Sequence, residues 1–523
     1  MRLELRAFVL LFAAAPWATA SDVHAIKLTQ QIDTRIAESL KAGGRVAAAR
    51  ANDAEFLRRL SLDLVGRIPT VAEAREFLDD ISTDKRAKLV DRLLASPEYT
   101  ANAARLWRSI LVPQATTNPQ TQYLGVSVEA WVRDRLRTGA TDDMTVRDLL
   151  TARLDYLDWT PDRKANPAPG LSPVGFYQAN DLKPETVGSA VARTFLGLKL
   201  ECALCHDHPF DKWTQKQAWE TAAFFAGVAP LEPEIKPASG LVNRRELKIN
   251  DTASIASSRF LDGVSPNWAV DSDPRKALAA WLVRKDNPYF ARVMANRVWA
   301  SLFGVGLVDP VDDWGPHNVP SHPQLLDDLA AAYSASGFDP KTLIRAIVLS
   351  DAYQRTSHLT HPTQSDPRRF ARMNVKGLSA EQLFDSLALA TGHRDPAPAT
   401  ADLAFGWPAR SPRGLFIAKF GGGAGRTDMQ VSILQALSLM NGDWLADQTN
   451  PTKGAAVKAI ASVPFLDDAG RVEVLFLSTL SRRPTKTEAD RYLPFLTGAD
   501  DKARATSDIL WVLVNSHEFL VNH

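Results

Sequence analysis

Cysteine is almost missing from this chain: two residues in 523. A disulfide framework is therefore excluded, because two thiols close at most one bridge. None is required either, since 45% of the residues are hydrophobic and can build cores without staples. A charge excess of either sign is also missing, with 61 Lys and Arg against 60 Asp and Glu. The chain thus lacks the electrostatic footprint of a protein that binds nucleic acid or a charged membrane surface. Long hydrophobic runs are absent beyond the N-terminus, so a mature chain has no stretch near the ~20 apolar residues a membrane span needs. Neither G-x-S-x-G nor H-E-x-x-H occurs, and the glycine-rich stretch 421–425 lacks the GK[ST] ending of a phosphate-binding loop.

The first twenty residues read as a secretory signal peptide. Arg2 and Arg6 give a basic start, Ala7 to Ala15 an apolar run, Pro16 a break, and Ala18-Thr19-Ala20 a small-x-small cleavage pattern. Its removal takes away two Arg and one Glu, leaving a mature chain of nearly zero charge, exported to the periplasm or beyond.

Length alone implies more than one core. Local signals are helical almost throughout. Capping boxes stand at Thr70–Glu73, Thr214–Gln217 and Ser379–Gln382. Ser96-Pro97-Glu98 combines an N-cap, a first-turn proline and an acid, and apolar spacing marks helices near 84–95, 127–138, 144–155 and 184–198. Asn287-Pro288, Ser321 and Asp339-Pro340 open further helices, followed by segments near 428–440, 470–480 and 502–517. Residues 158–175 read as a long loop, and 229–272 lacks helical periodicity apart from a short strand at Leu247–Asn250. The expected architecture is mainly α: a helical domain over 21–228, an irregular linker over 229–272, and a second helical domain over 273–523.

The two cysteines lie three residues apart and a histidine follows at once: Cys202-Ala203-Leu204-Cys205-His206. C-x-x-C-H is the attachment pattern of c-type haem. In that reading Cys202 and Cys205 carry thioether links and His206 is the proximal iron ligand. Phe210, Trp213, Trp219, Phe224 and Phe225, clustered just after the motif, would wall the haem or serve as ordinary core. Two other readings stay open. The cysteines could be an exchanging dithiol or a structural disulfide with His206 lowering a thiol pKa. They could instead join His206 and His208 around zinc, although adjacent Cys205 and His206 rarely both reach one tetrahedral ion. With haem, His208 would hydrogen-bond a propionate or close its own loop. Met144, Met294, Met373, Met429, Met440 and the remaining histidines are candidates for the sixth iron position. Asp312, Asp313, His317 and His322 form a second polar group, read either as a metal or acid–base site or as a capped turn before the helix at 322. No catalytic residue is assigned.

Long phrases around these residues resemble a known family. LSLDLVGRIPT (60–70), LVDRLLASPEY (89–99), Phe195-Leu196-Gly197-Leu198 and ECALCHDHPFDKWT (201–214) resemble the planctomycete secreted cytochrome-c-like domain of unknown function. Asn296 to Trp299, GLVDPVDDW (306–314), SHPQLL (321–326), QALSLMN (435–441) and NSHEFLVNH (515–523) resemble its usual partner, another secreted planctomycete domain. The resemblance implies export, the cytochrome c maturation machinery as a partner, and one covalent haem c on Cys202, Cys205 and His206. Relatives often carry a separate N-terminal cytochrome domain and a Cys-containing segment before the Gln-Ala-Leu helix; this chain has neither, so a second covalent haem is not expected. The function expected is electron transfer with a redox partner protein, or a haem-linked oxidation. A secreted scaffold with a structural Cys/His site, or a thiol–disulfide oxidoreductase, is the alternative.

Overall fold

Side-chain caps start most of the helices. In the computed structural model, which describes residues 20–117, 121–154, 171–228, 245–249, 252–268, 272–394, 411–420 and 439–523, all three expected capping boxes form, at Thr70, Thr214 and Ser379. Ser96 accepts from the Tyr99 N–H to open Pro97–Leu111, and Asp339 accepts from Lys341 and Thr342 to open Pro340–Val348. Each satisfies amides that a helix start leaves without partners. The helix at 321 is different. Ser321 is not its cap; the helix runs Pro323–Ala335 with His322 at the cap position and no side-chain hydrogen bond there. The Ser321 hydroxyl meets His322 Nδ1 instead. The fold is mainly α, with strands confined to two short antiparallel pairs among the described residues. The first, Glu246–Lys248 with Ile255–Ser257, overlaps the expected strand at 247–250. None of the described helices is long and apolar enough to cross a membrane. Residues 1–19 of the expected signal peptide, Met429 and most of the 158–175 and 428–440 segments lie outside the described residues.

The hydrophobic cores divide elsewhere than at the irregular segment 229–272. One large core takes residues from Ala25 to Met373, with Leu477 reaching in from the C-terminal part, and so joins helices on both sides of that segment. Trp107, Phe195, Phe290 and Phe338 continue in a row through it, ring to ring at 5.3–6.4 Å. The second core collects residues from Leu378 to Phe519, with Leu62 and Ile68 reaching in from the N-terminal half. The reason is local. The segment after 245 pairs with itself and lies over Trp219 through Ile249 and Ala256. It covers the first core and leaves it undivided.

The helix Asp53–Leu64 sits where the two cores meet and carries buried charge. Arg58 donates to the main-chain oxygens of Thr479, Glu518 and Phe519. Arg59 donates to those of Tyr353 and Arg355 and to the Glu55 carboxylate. Asp63 takes the Lys376 ammonium at 2.7 and 2.9 Å, the Tyr353 hydroxyl at 2.8 Å and the Asn522 amide at 2.8 Å. Lys376–Gly377 pairs with Val521–Asn522. The stretch 58–63, which leads into the phrase at 60–70, is therefore a structural knot between distant parts of the chain.

Candidate functional site

A distorted helix delivers the chain to the cysteine motif. Pro184–Val191 is α-helical, and Ala192–Leu196 widens into a π turn that stops at Gly197, φ 70°. Two causes make Gly197 glycine. The left-handed backbone disfavours a side chain, and a Cβ there would lie 2.3 Å from Trp314 Cδ1. Arg297 donates to the main-chain oxygens of Arg193 and Thr194, satisfying carbonyls at the end of the turn.

The motif is one short 3-10 turn, Cys202–Leu204. Ala203 is fully buried and anchors it, while Cys202, Cys205 and His206 face solvent. Both thiols are free. The turn is pinned from behind: Trp219 Nε1 donates to the Leu204 carbonyl at 2.9 Å and the Gln215 amide to that of Cys205 at 3.0 Å. Asp207 closes the following loop by accepting from the Gln215 N–H at 2.8 Å.

The two histidines differ in which nitrogen remains available. His206 Nδ1 lies 2.7 Å from the Asp207 carbonyl oxygen. A carbonyl only accepts, so Nδ1 donates to it, and Nε2 is the ring nitrogen left over, the one an iron or zinc ligand would use. His208 Nδ1 instead accepts from the Phe210 N–H at 3.2 Å, while the His208 main-chain N–H donates to the Trp213 carbonyl. His208 is thus tied to the backbone of its own loop. Among the described residues no group of three or more His, Cys, Asp or Glu side chains is arranged to hold a metal ion. The donor set for zinc at Cys202, Cys205, His206 and His208 is therefore not assembled.

Of the two readings of the aromatics after the motif, ordinary core is the one that four of the five follow. Trp213, Trp219, Phe224 and Phe225 are buried, and Phe224 stacks on Phe260, which stacks on Trp281, in the core. Only Phe210 stands out, 80% exposed. Their sequence clustering reflected a helix facing inward. Trp213 nevertheless contributes something: its buried Nε1–H has no acceptor among the described residues. An orphaned buried donor in the motif segment suits a ligand carrying carboxylates. Two exposed thiols, a histidine with Nε2 free and this leftover donor fit a haem bearing propionates.

A loop from the C-terminal half abuts the motif segment. The Trp314 N–H donates to the Gly197 carbonyl at 2.9 Å, and Lys199 pairs with Asp313 at 2.9 Å. Gly315 has no room for a side chain: a Cβ would lie 2.7 Å from His317 Cε1 and 2.9 Å from Asp211 Oδ2. His317 Nε2 is 3.2 Å from Asp313 Oδ1. Partial burial opposes the Asp313 charge, yet Lys199 and His317 hold its carboxyl below the ordinary value. His322 does not join this group. It packs on Phe370, and burial, with Arg369 and Arg368 nearby, lowers it to about 4. The four residues Asp312, Asp313, His317 and His322 are thus not one site; Asp313 and His317 belong beside the cysteine motif.

No curated protein and no solved structure matches the chain. Two family models do. Residues 31–229 match PSCyt2, a protein of unknown function (DUF1549). Residues 274–404 match PSD1, a protein of unknown function (DUF1553). The first match holds the buried knot at 58–63 and the cysteine motif, and the second holds the loop that abuts it. Together they span more than half of the sequence, and the chain belongs to the planctomycete-type proteins that pair these two domains.

Proposed function

We propose that this is an exported c-type haem protein whose single haem is carried by Cys202, Cys205 and His206 and serves one-electron chemistry with a redox partner protein. The supporting observation is the state of the three side chains. Both thiols are free and exposed, and the Nδ1–H of His206 is given to the Asp207 carbonyl so that Nε2 is available. Attachment is redox-neutral: each S–H adds across a vinyl group, a C–S bond forms, and the thiol proton goes to the neighbouring vinyl carbon. The haem, when bound, supplies a metal that changes its charge by one electron. The chain supplies orientation. The backs of Leu204 and Cys205 are held by Trp219 and Gln215, so the motif presents its side chains from a rigid turn. The apolar run and the Ala18-Thr19-Ala20 site support export, and covalent attachment takes place outside the cytoplasm by the maturation machinery.

The test is expression of the full chain with cytochrome c maturation machinery, followed by a pyridine haemochrome spectrum of the denatured protein. A thioether-type spectrum that disappears in Cys202→Ser and Cys205→Ser supports the proposal. Chain without covalent haem refutes it. In that event, a dithiol that equilibrates with glutathione identifies a thiol–disulfide oxidoreductase, and stoichiometric zinc lost in Cys205→Ser identifies a structural clasp.

A further inference from the structure

The PSD1 region holds a cleft of its own, which shares no residue with the cysteine motif. It lies between the turn that carries Lys285 and Pro288, the start of the helix Phe290–Phe303, and the helix Pro323–Ala335. Its volume is about 570 Å³, inside the range of about 300–1,000 Å³ usual for small-molecule sites. Asp327, Ala330, Ala331, Ser334 and Ala335 all line it. Their spacing of i, i+3, i+4, i+7 and i+8 puts them on one helix face. The alanine methyls are too short to fill the gap to Ala291 and Pro288 opposite. The rim is rigid: Asn287 donates to the Trp281 carbonyl and accepts from the Tyr289 and Phe290 N–H groups.

The polar atoms of the cleft are not all spent. Ser334 is only 8% exposed, and its hydroxyl has no hydrogen-bond partner among the described residues. A helical serine commonly returns its hydroxyl to a carbonyl three or four residues back, as Ser301 on the facing helix does at 2.7 Å. A buried hydroxyl left over costs stability unless something in the cleft pairs with it. Two exposed cations face one carboxylate around the same cleft. Arg292 gives Asp327 one contact at 2.6 Å and keeps further donors of its guanidinium. The Lys285 ammonium has no carboxylate partner among the described residues, and the neighbouring Asp286 is paired with Arg284.

We infer that this cleft is a binding site for a small organic acid: a compact apolar body with one carboxylate and one further polar group. The body covers the alanine methyls and Pro288, Lys285 and Arg292 take the carboxylate, and Ser334 pairs with the polar group. One net positive charge in the lining favours a monoanion over a neutral ligand of the same shape. Binding is non-covalent and independent of the haem proposal. The second domain then contributes ligand recognition that the cysteine motif does not supply.

The experiment is titration calorimetry of the full chain with the three positional isomers of hydroxybenzoate, and with the matching hydroxybenzamides as uncharged controls. At least one acid should bind saturably at a single site, about tenfold more tightly than its amide. Lys285→Met should remove that preference, and Ser334→Ala should weaken the acid about threefold. Ala331→Leu should fill the cleft and abolish binding of acid and amide alike. Lys285 and Ala331 are exposed, so their variants should keep the wild-type melting temperature. No saturable binding of any isomer overturns the proposal. So does binding that survives Ala331→Leu, or an affinity unaltered in both Lys285→Met and Ser334→Ala.

Discussion

Two polar segments of this protein share a domain and are treated in opposite ways by the fold. Around the helix Asp53–Leu64, the charged groups of Arg58, Arg59 and Asp63 are sealed from water and joined to residues hundreds of positions away. Around Cys202–Trp213 the polar side chains remain near solvent and are held by neighbours within about a dozen residues, while the atoms with chemistry to offer stay unspent. Buried polar groups must all be paired, so the first segment can do little except specify how the chain closes on itself. In the second, the backbone is satisfied and the Sγ and Nε2 atoms are free. A conspicuous sequence phrase can therefore mark a structural knot or a working site, and the spent or unspent state of its side-chain atoms separates the two.

Five substitutions probe that contrast. The largest effect is expected at the knot. Lys376→Met leaves the Asp63 carboxylate buried without its cation and should cost about 3–5 kcal/mol in urea unfolding. A loss below ~1 kcal/mol would mean the knot is not what holds the two cores together.

A second buried pair tests the same logic with pH. Burial pushes the Asp142 carboxyl from 3.8 up to about 7, against the pull of the Tyr333 hydroxyl that donates to it. A carboxyl raised in the folded state contributes most below its unfolded value and loses that contribution as pH rises to about 7. Wild-type stability should therefore decline between about pH 4 and pH 7 from this group. Tyr333→Phe removes the bond that favours the ionised form, so its cost, ~1–3 kcal/mol, should be greatest above pH 7. Unfolding curves at pH 5 and pH 8 measure the difference, and a larger cost at pH 5 would contradict the assignment.

At the motif the stability effects should shrink. Thr214→Ala removes the cap beneath the motif loop and should cost about 1 kcal/mol, visible in the melting temperature of the haem-free chain. Cys202→Ser and Cys205→Ser should change that stability by less than ~0.5 kcal/mol, because both thiols are exposed and free. A strongly destabilised serine variant would move the motif into the structural class and erase the contrast.

Legibility followed the range of the interaction. Caps within one helical turn were readable: Thr70, Ser96, Thr214, Asp339 and Ser379 all act as expected. Ser321 misled because a serine before His322-Pro323 matches the cap pattern, whereas its main chain is drawn to Leu307 and its hydroxyl to His322. The inward turn of Trp213, Trp219, Phe224 and Phe225 was not legible, since a run of aromatics looks the same whether it lines a ligand or fills a core. Nor was the separation of His317 from His322. They are five residues apart in the chain, but one joins Asp313 beside the motif and the other packs on Phe370.

What the sequence determined by itself was the helical class, most helix starts, and the Cys202-Cys205-His206 constellation, because each depends on residues within a few positions of one another. Only the tertiary structure decided that the cores divide near residue 375, that Arg58, Arg59 and Asp63 are spent on closing the fold, and that His317 lies across Gly315 from the motif segment. Those outcomes depend on which distant surfaces exclude water together, and burial is a property of the assembled chain rather than of any stretch of it.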